Sequence, residues 1–176
     1  KDRFRINIKT SNRIKHSFFN LLEQSNTSGV ISPFFLEAHV SKELLDVEKP
    51  WVISHEKSHL FGVTDESDAN IIAYLVCINS DNDNLKFSAY FSLMLYFLSE
   101  VNTKCGKKVR DSFFNSLNKD IQLLIENRQK RYKKYDNLLT RSMLSMYNYY
   151  LKFNGIKKGI SSYNAIVYYV IHNKLI

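Results

Sequence analysis

The order of apolar and polar positions divides this chain into a short N-terminal part with β character and a long helical remainder. Residues 1–10 alternate charged side chains with Phe4, Ile6 and Ile8, the period of a strand or a loose arm. Ile14, Phe18, Leu21 and Leu22 recur at helical spacing and predict a helix over 13–24. Residues 26–29 read as a turn, and 30–40 as an extended, aromatic-rich stretch broken by Pro33. After a polar connection, Pro50 is well placed to open a helix and Gly62 to end it, because glycine tolerates the left-handed backbone of a helix terminus. Thr64 or Asp65 can cap a second helix reaching to about Asn79. A turn at 81–84 leads to a third helix ending near Val101. Residues 107–174 offer three or four more, with breaks near Asn118, Tyr135 and within 154–159. The expected fold class is mainly α (α+β): a single domain over 1–176 with a small N-terminal β element.

Composition supports this outline. With 44% hydrophobic and 24% charged residues the chain resembles a folded protein, and five Gly and two Pro are too few for a many-turned all-β fold. The apolar run 87–98 is shorter than the roughly 20 residues a bilayer needs and reads as a buried helix. Cys77 and Cys105 lack ligand-like spacing; Cys77 falls in an apolar stretch and is expected in the core. The net charge of +8 raises nucleic acid as a partner, yet much of it sits in 104–110 and 128–134, and such runs read as solvated helix faces. No nucleic-acid partner is expected.

The chemistry lies in the segment His55-Glu56-Lys57-Ser58-His59. Two His at i and i+4 share one helix face and can reach one metal ion, and zinc suits a His/His/carboxylate set. Glu56 projects beside them, where it can act as general base on the water that such a metal activates. The third ligand must come from the next helix or the turn before it. Glu66 opens E-S-D-A-N, with the small Ala69 letting two helices approach, and is the favoured ligand. Asp65, six residues after His59, competes for that place but equally reads as an N-cap, and Asp68 as a solvent-facing acid. Asn70 is placed to hydrogen-bond the far nitrogen of a liganding His. For the oxyanion donor, Tyr163 in a Gly-flanked segment comes first and Tyr90, in an aromatic helix that reads as core, second. Residues 30–40 could supply an edge strand that pairs with a substrate backbone. His16, His39 and His172 read as structural.

These motifs also carry a family resemblance. Gly29-Val30 with Pro33-Phe34-Phe35, then Glu37-Ala38-His39-Val40, Pro50 through Gly62, and Glu66 through Leu75 resemble a bacterial family of membrane-anchored HExxH proteins, domain of unknown function 3810. Ser88, Tyr90, Tyr150-Leu151-Lys152, Gly155, Gly159 and Ser162-Tyr163 continue the likeness, while His39 and Lys57-Ser58 depart from it away from the ligands. The resemblance implies a gluzincin-like zinc peptidase, with membrane spans outside this chain and the domain on the extracytoplasmic side of the cell membrane. The expected partner is a peptide or protein substrate. The competing expectation is a catalytically silent pseudo-peptidase that binds a cell-envelope partner.

Overall fold

The computed structural model describes residues 14–16, 22, 25–32, 35–136, 138–153 and 165–174. Its β element is a three-stranded sheet of β1 (Ile14–His16), β2 (Gly29–Ser32) and β3 (Glu37–Val40) in the order β1-β3-β2. The stretch expected to be extended supplies β2 and β3, which pair antiparallel in register Gly29↔Val40 to Ser32↔Glu37, with Gly29 in the strand and not in the expected turn. β1 pairs parallel to β3, from Ile14↔Ala38 to His16↔Val40. Residues 14–16 are therefore strand, where the helical spacing predicted helix. Ladder hydrogen bonds to β3 and the 2.8 Å Lys15–Glu37 ion pair hold this segment extended, a tertiary effect that local periodicity cannot register. In β3 the alternation is clean, with Ala38 and Val40 buried and Glu37 and His39 half-buried.

The described helices are α1 (Lys49–Leu60), α2 (Glu66–Ile78), α3 (Asp83–Cys105), α4 (Lys107–Ser116), α5 (Lys119–Lys134), α6 (Leu138–Phe153) and α7 (Ala165–His172). Pro50 does sit in the first turn of α1, and Gly62 takes φ of 90° just beyond its end. α1 packs against β2 and β3 on one side and against α2 and α3 on the other. Its N-cap residue, Glu48, makes no side-chain cap, and a free N–H of the first turn finds its acceptor elsewhere: Trp51 N–H donates to the buried Ser88 hydroxyl of α3 at 3.1 Å.

Two apolar clusters meet along α3. One joins Trp51, Ala73, Tyr74, Ala89 and Leu93 to Ile166 and Val170 of α7. The other sets Phe91 and Leu98 against Ile125 of α5, with Phe113 and Phe114 of α4 beside them. α3 runs to Cys105, beyond the predicted end at Val101, because Gly106 at φ of 85° is what terminates it. Cys77 is buried as expected, Cys105 is exposed, and the two thiols are free. Tyr90 is 47% exposed rather than core. None of the described helices is long and apolar enough to cross a membrane. The expectations for residues 1–10, for the break within 154–159 and for Tyr163 lie outside the described residues.

Candidate metal centre

His55 and His59 stand one turn apart on α1 with their Nε2 atoms 3.1 Å from each other. A single tight reversal brings the third group to them. Val63 N–H donates to the Ser58 carbonyl at 3.2 Å, and Asp65 caps α2 by accepting from the backbone of Ser67 at 2.8 Å and Asp68 at 3.1 Å. This starts α2 with Glu66 facing α1, where Glu66 Oε2 lies 3.1 Å from His55 Nε2 and 3.5 Å from His59 Nε2. His55, His59 and Glu66 thus offer three ligand atoms within 4.8 Å of one another, a set that can hold a metal ion. Asp65 is occupied as the cap and Asp68 is exposed, so the geometry selects Glu66 among the three acids.

The imidazoles are oriented for this task. His59 Nδ1 lies 2.7 Å from the Val63 carbonyl, which can only accept, so Nδ1 carries a proton, and once Nε2 gives up its own proton its lone pair points into the triad. That carbonyl does the work foreseen for Asn70. Asn70 is buried but accepts from the Tyr96 hydroxyl at 3.2 Å, while His55 Nδ1 is buried with no hydrogen-bond partner among the described residues. The hydrogen bond that His59 donates to Glu66, against some opposition from burial, raises the pKa of His59. Burial works to raise that of Glu66, but hydrogen bonds from both His residues outweigh it and hold the carboxylate well below its usual range. A site whose carboxylate is kept ionised between two imidazoles is charged and shaped for a cation.

Glu56 is built differently. Only 7% exposed, it is pushed by burial to a pKa of about 7, against the pull of His55 and His59. Its carboxylate lies against the backbone of β2: a Cβ on Gly29 would come within 2.7 Å of Glu56 Cγ and Oε1. Only glycine allows this approach, which the reading of 26–29 as a turn did not anticipate.

His55 and Glu56 line a cavity of about 550 Å³ walled by α1, α3 and α5. Around His55 and Glu56 the lining includes Trp51, Tyr96, Arg128 and Tyr132. Burial pushes the Tyr96 hydroxyl up to about 12, so it stays a protonated donor to Asn70. Sequence reasoning missed the α5 wall and took 128–134 for a solvated face. Instead, Arg128 Nε and Arg131 Nη2 converge on Glu48 Oε1 at 2.9 and 2.8 Å, and Glu48 is 5% exposed. No local signal marks a pairing across so long a stretch of chain. The run 104–110 does match the expected solvated face over 104–109, where every residue is exposed.

No curated protein and no solved structure matches the chain. One family does, over residues 1–171, so that nearly the whole sequence is covered. The chain belongs to the family described as Protein of unknown function (DUF3810).

Proposed function

We propose that this chain is a zinc-dependent peptidase in which His55, His59 and Glu66 hold the metal and Glu56 is the general base. The observation that carries this reading is the pairing of a converging His/His/carboxylate triad with a second carboxylate, Glu56, buried beside it and lining one cavity with His55. The donor set fits zinc, for which two imidazole nitrogens and one carboxylate oxygen leave a coordination position open. Zinc, when bound, acidifies a water and polarises the scissile carbonyl. Glu56 would take the proton from that water and deliver it to the leaving amine. Burial favours the protonated form of Glu56, which suits it to take up that proton.

β2 lies at an edge of the sheet, and Gly29 brings it against Glu56. A substrate backbone pairing with that edge would lie across the triad, with its carbonyl within reach of the base. The hydroxyl that would stabilise the oxyanion remains assigned to Tyr163. The family resemblance further supports a domain held at the extracytoplasmic face of the cell membrane, by a span other than the described helices.

Metal analysis of the purified protein beside a Glu56→Gln variant tests the reading. Both proteins should carry one zinc per chain, and the wild type should cleave a peptide library. The variant should lose on the order of 100-fold or more in rate, the usual contribution of a general base. A wild type that takes up no zinc would sink the metal site. Zinc uptake without cleavage by either protein would favour the silent binding module.

A further inference from the structure

The cavity has a second pole, on α5, that the metal chemistry does not use. Arg128 Nε donates to Glu48 Oε1 at 2.9 Å, and its Nη2 donates to the Tyr132 hydroxyl at 3.2 Å. Its guanidinium carbon lies 4.6 Å from the centre of the Tyr132 ring, with Arg131 at 4.7 Å from the same ring. Tyr132 is itself fixed, its hydroxyl 3.1 Å from Ser28 Oγ and its carbonyl accepting from Asn26 Nδ2 at 2.9 Å. The Arg128 side chain is thereby locked in one orientation. Its Nη1 meets no acceptor among the described residues, and the residue lines the cavity together with His55 and Glu56.

Arg128 does not have its counter-charge to itself. Both guanidiniums bind the same oxygen of Glu48, whose Oε2 is occupied by Leu45 N–H at 3.0 Å. Arg131, which lines a separate hollow beside Glu43 and not this cavity, therefore competes with Arg128 for one carboxylate oxygen. Two other acids line the cavity: Glu56, buried beside His55, and Glu100, which accepts from Tyr168 at 2.6 Å at an exposed contact, where solvent screens it. A rigid arginine with spare donors at one end of a cleft is suited to a charge-assisted hydrogen bond with an anion, at little entropic cost.

We propose that Arg128 recognises a carboxylate of the peptide bound in this cavity. That carboxylate belongs either to an acidic side chain near the scissile bond or to the free C-terminus. The inference rests on the peptidase reading for the identity of the ligand as a peptide, but not for the anion contact itself.

The experiment measures binding by calorimetry to zinc-loaded full-length Glu56→Gln protein, which does not turn its ligands over. The probes are Ac-Ala-Ala-Glu-Ala-NH2, its Gln counterpart, and the Gln peptide with a free C-terminal carboxylate. One of the two carboxylate peptides should bind about tenfold more tightly than the Gln amide, and which one does so identifies the source. Adding Arg128→Met should abolish that ratio. Arg128→Lys, which keeps the charge and the Glu48 contact but not the fork, should reduce it, and serves if the Met variant does not fold. A ratio near one in the parent, or a ratio that survives in both variants, overturns the proposal. If the protein takes up no zinc, the peptidase reading falls, and the same peptide ratios on metal-free protein still decide for or against Arg128.

Discussion

Two buried glutamates bracket α1, and their environments are opposite. Glu48, 5% exposed, is saturated: Arg128 and Arg131 reach one oxygen and Leu45 N–H the other. Glu56, two turns later and 7% exposed, has no hydrogen-bond donor among the described residues, and burial lifts its pKa to about 7. Equal burial therefore does not mean equal duty. Burial with partners makes a structural clamp, here fastening α5 to the start of α1. Burial without partners keeps a carboxylate ready to exchange a proton.

The largest expected effect breaks the clamp. Glu48→Gln removes the charge that two guanidiniums share and should destabilise the protein by about 3–5 kcal/mol, the cost of leaving buried charges uncompensated. Chemical denaturation measures it. Glu56→Gln should cause no such loss, and if both variants were equally destabilised the contrast would fail.

Glu56 also gives a pH signature. In metal-free protein the folded state holds the Glu56 proton up to a pH of about 7, whereas the unfolded chain releases it near 4.5. The folded state binds more protons across that window, so stability should fall as pH rises through it, by up to about 3 kcal/mol. Subtracting the Glu56→Gln denaturation curve isolates this slope. A variant with the same pH dependence as wild type would show that Glu56 titrates normally.

A smaller change tests the packing that desolvates Glu56. Gly29→Ala places a methyl where 2.7 Å separates it from the carboxylate, so Glu56 must move. We expect a loss of about 1–3 kcal/mol in stability and a disproportionate fall in kcat, with zinc content preserved. The gentlest probe is the pH dependence of zinc affinity. Glu66 raises the His59 pKa above its ordinary 6.5, and that proton must leave before a metal binds. Affinity should therefore climb as pH rises through the elevated value and level off above it, which competition with a chelator would follow.

Much of this arrangement was legible in the chain by itself. The His55/His59 spacing, the Gly62 stop, the Asp65 cap and Glu66 just beyond it are local features, each set by helix geometry or backbone conformation within a few residues. The helical course of 49–134 was equally plain, since its periodicity and turn residues agree. The strand at 14–16 was not, because its pairing with β3 is a long-range ladder that overrides a weak local pattern. Arg128 and Arg131 looked like one more basic run until the fold laid them on Glu48. Desolvation is likewise a tertiary quantity. The sequence determined that Glu56 stands between two histidines, but only the close approach of Gly29 and the packing around α1 decided that this carboxylate, unlike Glu48, is buried without a hydrogen-bond partner among the described residues.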